Sequence, residues 1–394
     1  MAANQQNLLY VSFMTPPNPH TGGRWGLPML LKGDPGTAKT ALINATAGRA
    51  GLPVHTTLTA IQDPTDFAGL PYLEKGADDV TRSQYASPPL ATTLLSFGEA
   101  GGVCFFDEIN CGAPSTQAAA LRIILEGVVG TETVSPKIRF IAACNDPEQA
   151  PNADDIAMSL ANRFGHLDWN GPSSDDWCNW LVGQQGEDLG ITCEVLTEDE
   201  LESGWADAFD AAARQVSGFI RAFPSTLHAP PEAHSENASK AWASRRTWEN
   251  FTRALAAGKA HKLNDEDLYS FLSAFVGRDA TSQFVSWVAA QDMPKPADVL
   301  ADADAVDLDT SRLDRTMAIL DSCAQFVING DDTCREQYGY EMWRLLERVL
   351  DTAPDLAMKP AGELAKAGVQ KRCKPARAVL SKMGSAMTAA GFGR

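Results

Sequence analysis

The stretch "GDPGTAKT", Gly33 to Thr40, constrains this chain more than any other. It follows an apolar run, "LPMLLKG", and precedes an amphipathic one, "AKTALINATAGRAG", which ends near Gly51. A strand, a glycine-rich turn and a helix N-terminus in that order make a phosphate cradle. Backbone N–H groups point inward and the helix dipole favours negative charge. In such a cradle Gly33 and Gly36 supply unusual dihedrals and close backbone approach. Lys39 reaches the β- and γ-phosphates and the Thr40 hydroxyl binds Mg2+. The candidate nucleotide-binding segment is therefore Gly33, Asp34, Pro35, Gly36, Thr37, Ala38, Lys39, Thr40 and Ala41. The standard pattern has Gly where Ala38 stands. The expectation is that the chain has already entered the helix there, with ordinary helical dihedrals that tolerate a Cβ.

A second element sits downstream. "VCFFDEI" runs mostly apolar residues into Asp107 and Glu108, at the C-terminal end of an expected strand, where α/β sheets bind ligands. Adjacent acids there divide their labour: Asp107 for Mg2+ or its waters, Glu108 to polarise an attacking water. A solvated turn would also explain an acidic pair, but far less well once a phosphate loop lies upstream.

The runs "VHTTLT", "IRFIAACN" and "FGHLDW" read as further strands, and "PSTQAAALRIILEGVV" as a helix. Strands alternating with helices predict a parallel five-stranded sheet in a three-layer α/β sandwich. After "NGPSSDDW" helical periodicity dominates, clearest in "WADAFDAAARQVSGFIRAF", "RTWENFTRALAAGKA" and "EDLYSFLSAFVG". The expected division is a nucleotide-binding core over 1–172, an α-helical lid over 173–298 and a C-terminal helical extension over 299–394. The last block ends in "KRCKPARAVLSKMGSAM", with Lys371, Arg372, Lys374, Arg377 and Lys382 and no acid among them. Such a run reads as a solvated helix face, or as a docking surface for an acidic partner.

With these motifs in order, the chain resembles an AAA+ ATPase, and within that superfamily the MoxR group of the helix-2-insert clade. The resemblance spans roughly residues 25 to 290 and rests on "GDPGTAKT", "FFDEIN", "AACNDPE", "SLANRFGHL" and "SRRTWENFTRAL". By position it implies that Asn145 is the sensor-1 residue that helps hold the attacking water. It implies that Arg163 is an arginine finger reaching a neighbouring subunit's site, where such groups stabilise charge on the transferring phosphoryl group. Sensor 2 falls on Arg246 by register against "RTW", with the adjacent Arg245 as the alternative. Asn162 stands where the group often has an acid, and Cys111 where it often has Arg. The segments "IQDPTDFAGLPYLEKGADDVTRSQYASPPLAT" and "GVVGTETVSPK" correspond to hairpins that in the group touch substrate or partner. The resemblance implies a hexameric ring that uses ATP and Mg2+ to remodel a protein client, often one with a von Willebrand factor A domain.

Composition narrows the alternatives. With 33 basic against 50 acidic residues the net charge is −17, which argues against a chain whose main work is wrapping nucleic acid or anionic membrane. A nucleic-acid-stimulated motor therefore stands second, and a nucleotide-gated scaffold with little turnover third, disfavoured by the intact acid pair. A small-molecule kinase is a poor fit to a long helical lid. The eight cysteines form no C-x-x-C pair and no zinc-spaced cluster, and Cys104 and Cys144 lie in strand-like runs. With no basic leader and no apolar run of roughly 18 residues, the expectation is a cytoplasmic protein without a membrane span. The segment "PPNPHTGGRWG" is a candidate adenine contact on position alone.

Overall fold

The computed structural model describes residues 4–75, 77–145, 156–184, 190–232, 235, 237–291, 294–306, 308, 313–350, 352–375 and 379–382. The chain forms two compact units, Met1–Val285 and Ser286–Arg394. The expected core and most of the expected lid thus share one unit.

In the first unit nine strands are described: β1 (Met29–Lys32), β2 (Val54–Leu58), β3 (Pro71–Lys75), β4 (Thr81–Tyr85), β5 (Gly102–Asp107), β6 (Val128–Val129), β7 (Glu132–Thr133), β8 (Ile138–Cys144) and β9 (Gly165–Asp168). Five of them make one sheet in the order β2-β5-β8-β1-β9, with every neighbouring pair parallel. The predicted α/β fold is the one observed. β5 and β8 are buried along almost their whole length, as continuous apolar runs in a parallel sheet must be. Lys32 lies level with Cys144 and Asp168, and Leu58 with Asp107. Gly33, Glu108, Asn145 and Trp169 therefore emerge together at the sheet's C-terminal edge.

The helices of the first half are α1 (Gln5–Met14), α2 (Lys39–Arg49), α3 (Pro64–Ala68), α4 (Pro89–Ser96), α5 (Pro114–Glu126), α6 (Met158–Ala161) and α7 (Ser174–Leu181). They are followed by α8 (Glu198–Ala222), α9 (Arg245–Ala260), α10 (Asp265–Val276) and α11 (Arg278–Gln291). α8 buries Leu201, Trp205, Phe209, Ala212, Val216 and Phe219, a three-and-four spacing that puts them on one stripe. Thr197 and Ser244 cap α8 and α9 with reciprocal capping boxes.

α1 went unread in the sequence, and it ties the sheet to the helical layer. Asn7 donates to the Asp267 carboxylate on α10 at 2.8 Å, and the Asn4 backbone N–H does so at 2.6 Å. Arg139, in mid-sheet and almost wholly buried, pairs with Glu198 of α8 and donates to the Phe13 carbonyl at 3.0 Å. Two antiparallel hairpins stand where expected. β3 pairs with β4, every residue exposed, and β6 with β7 around Gly130 at φ 61°. Gly76 lies outside the described residues.

The second unit holds α12 (Pro296–Ala301), α13 (Leu313–Asn329), α14 (Asp332–Leu350) and α15 (Pro354–Lys366) around a core that includes Leu320, Trp343, Leu346 and Leu364. In the basic run, Arg372 pairs with Asp332 at 2.9 Å and Lys382 with Glu347 at 3.9 Å. Part of that run is thereby neutralised within its own unit; Arg377 lies outside the described residues.

Candidate functional site

The loop from Gly33 to Lys39 leaves β1 and turns into α2, and two glycines make the turn possible in different ways. A Cβ on Gly33 would meet the Trp169 carbonyl at 2.3 Å, so only glycine fits there. Gly36 adopts φ 78°, which L side chains rarely accept. Ala38 does not behave as the sequence suggests. It is not in helical dihedrals but in the left-handed region, at φ 62° and ψ 22°. The chain must reverse its curl before Lys39 can start the helix, and Ala38 makes that reversal with its Cβ in place. That costs on the order of 1 kcal/mol.

Lys39 is 8% exposed, and its ammonium donates to the carbonyls of Gly33 (2.7 Å) and Asp34 (2.9 Å) and to the Asn145 side-chain oxygen (3.1 Å). Burial pulls its pKa below the ordinary lysine value, while Asp107 and other nearby acids pull it back. The Thr40 hydroxyl donates to Asp107 at 2.9 Å, and the other Asp107 oxygen accepts from the Glu108 backbone N–H at 3.0 Å. Glu108 is itself left-handed, at φ 51°. Of four such non-glycine residues among those described, Ala38 and Glu108 both belong to this site, a clustering of strain that marks functional loops.

Asn145 is held by a residue to which the sequence analysis gave no role. Asn110 donates its amide to the Asn145 carbonyl at 3.0 Å and accepts from the Asn145 backbone N–H at 3.3 Å. Both are buried. The signal was available, since Asn110 closes the "FFDEIN" motif. Asp146, Pro147 and Glu148 of "AACNDPE" lie outside the described residues. Trp169 is a second residue the sequence did not flag. Its indole donates to the Thr37 carbonyl at 2.9 Å, and with Lys32, Gly33, Asp34, Thr37, Asp168 and Asn170 it lines a cavity of about 280 Å³ beside the loop.

This donor set fits a nucleotide with a hard cation. A hydroxyl and a carboxylate in contact, next to a buried ammonium whose partners are all neutral, suit Mg2+ shared with phosphate oxygens. Among the described residues no group of three His, Cys, Asp or Glu could hold a metal by itself.

Arg163 and Arg246 lie elsewhere. Arg163 precedes β9, at the opposite edge of the sheet from the loop. It shares a pocket of about 200 Å³ with Arg246, Arg24 and Arg253, over Trp25, Ile124, Leu125 and Phe140. Arg245 does not line this pocket. Burial, and then the charge of Arg246, lower the Arg163 pKa. Burial holds Arg24 and Arg253 down at about 10. Arg253 is committed to the carbonyls of Pro16, Arg24 and Gly26. The Nε atoms of Arg24 and Arg163 are buried without a partner. Asn162 finds a role here, accepting from the Ser244 cap of α9 at 2.8 Å and donating to the Trp242 carbonyl. That link brings the start of α9, and so Arg246, beside Arg163. The "PPNPHTGGRWG" segment contributes Gly23, Arg24, Trp25 and Gly26 to this pocket and none of the residues lining the cavity beside the loop.

Residues 29–166, which carry the loop, the acid pair and Asn145, match the family described as "ATPase family associated with various cellular activities (AAA)". This stretch is similar to an AAA ATPase domain. A crystal structure of a "putative ATPase" from Cytophaga hutchinsonii is similar at 15% identity with a TM-score of 0.39, covering 78% of this chain and 91% of that one. No curated protein matches the sequence. Among the described residues no helix is long and apolar enough to cross a membrane.

Proposed function

We propose that this chain is an Mg-ATP-hydrolysing ring motor of the MoxR type, which couples turnover to remodelling of a protein partner in the cytoplasm. The observation that carries the reading is the division of the charged groups around the AAA domain. Lys39, Thr40, Asp107, Glu108 and Asn145 gather at one edge of the sheet, while Arg163 and Arg246 gather at the other. A finger on the wrong edge for its own loop fits a site completed by a neighbour in a head-to-tail ring.

Each group has a task at the loop. Lys39 turns from its carbonyl partners to the β- and γ-phosphates. Thr40 and Asp107 would hold Mg2+, which would supply charge neutralisation for the phosphates. Glu108 accepts a hydrogen bond from the attacking water and so polarises it, and Asn145, fixed by Asn110, orients it. Arg163 and Arg246 of the adjoining subunit stabilise charge on the transferring group. Movement of the helical layer against the core couples hydrolysis to the client, and the exposed β3–β4 hairpin is the element offered to it. A von Willebrand factor A domain is the client class we favour, and a hexamer the ring size.

The test is steady-state ATP hydrolysis over a wide range of protein concentration, with Lys39→Ala as the contamination control. Specific activity should climb with concentration and then level off. Constant specific activity in a protein shown by mass to be monomeric would overturn the shared site.

A further inference from the structure

We infer that α7 is a subunit-docking helix whose apolar face is covered by a second copy of this chain. α7 has no buried residue. Trp177 is 50% exposed, Trp180 56%, Leu181 59% and Val182, just past its end, 65%. Residues 177, 180 and 181 stand at i, i+3 and i+4, so they form one face. Two half-bare indoles side by side are unusual in a surface helix and mark an interaction site. The helix itself is well made, with a capping box between Ser173 and Asp176, so its exposure is not that of a frayed segment.

Position and charge identify the occupant. The chain enters α7 through Gly171, where a Cβ would stand 3.1 Å from Thr37 of the phosphate loop. α7 therefore starts on the loop side of the subunit. That side carries more acid than base, with Asp34 and Asp168 lining the cavity by the loop beside Lys32, and Asp175 and Asp176 in the first turn of α7. The pocket holding Arg24, Arg163, Arg246 and Arg253 is basic and has an apolar floor, with Leu125 at its rim 40% exposed. One face of this molecule thus complements another in both charge and apolarity, the condition for heterologous self-association. Indoles also pack favourably on guanidinium planes. The inference rests on the head-to-tail reading above and names the surface that holds it together.

The experiment compares the full-length wild type with a Trp177→Ser/Trp180→Ser double variant by sedimentation velocity, across protein concentration, in Mg2+ and a slowly hydrolysed ATP analogue. The variant should need at least tenfold more protein to assemble, with its far-UV circular dichroism and melting temperature unchanged because both side chains are exposed. Cys178 lies on the same helix and is exposed. Its maleimide labelling, read by peptide mass, should slow at least tenfold when the wild type assembles. Assembly of the variant at the wild-type concentration overturns the docking role and leaves the ring reading standing. Undiminished labelling of Cys178 in the assembled wild type overturns it whatever the variant does, and leaves the face free for a client. A wild type that stays monomeric with nucleotide overturns both readings.

Discussion

The two charged regions of the first unit differ in how completely they satisfy themselves. At the loop, several polar side chains pair inside the chain: Lys39 with two carbonyls and Asn145, Thr40 with Asp107, Asn110 and Asn145 with each other. In the arginine pocket, two buried Nε atoms have none, and Arg246 sits close enough to lower the Arg163 pKa. Buried donors without partners are costly, and like charges brought together add to that cost. The loop region is arranged to exchange internal partners for a ligand. On the proposed reading, the arginine pocket receives anionic charge from a neighbouring subunit. The comparison teaches that incompleteness, more than the presence of charged residues, points to the surface that meets another molecule.

The largest effect should come from Lys39→Ala. Removing the ammonium takes away the side-chain charge that meets the β- and γ-phosphates directly, and affinity for a fluorescent ATP analogue should fall roughly 100-fold. A fall of less than threefold would mean the loop does not bind phosphate. Next comes Arg246→Ala, which should lower kcat by roughly 10- to 100-fold while leaving nucleotide affinity within about threefold. Arg245→Ala is its control, and equal losses in both would break the assignment of the pocket. Asn110→Ala should lower kcat about tenfold with KM little changed, since Asn145 loses its anchor but Lys39 keeps its own contacts. An unchanged kcat would show that Asn145 is held well enough without it. The smallest effect is Ala38→Gly. Releasing the left-handed strain, less the entropy that glycine gives up, should raise the melting temperature by about 2 °C. A lowered melting temperature would show that the strain is absent in solution.

Much of this was legible in the sequence because it is local. Apolar runs with turn residues between them give strands and helices, and their alternation gives a parallel sheet, so all five sheet strands lie where the pattern puts them. The loop and the acid pair are contiguous motifs at strand ends, and parallel strands bring those ends to one edge. Ala38 shows where local reading failed. Its conformation is set by how far the chain must curl to place Lys39 between Gly33 and Asn145, and no residue-by-residue preference contains that distance. α1 failed for a similar reason, because its worth lies in Asn7 reaching Asp267 across 260 positions of chain.

What the sequence by itself determined is the α/β core's order of elements and the loop and acid-pair motifs at its strand ends. Those follow from periodicity and contiguous motifs, which act over a few residues. What only the tertiary structure decided is which distant side chains share a space. Arg24, Arg163, Arg246 and Arg253 come from separate segments, and Asn162 bonding the Ser244 cap brings two of those segments together. Long-range packing fixes such meetings, and it leaves no repeat or spacing in the chain from which they could be read.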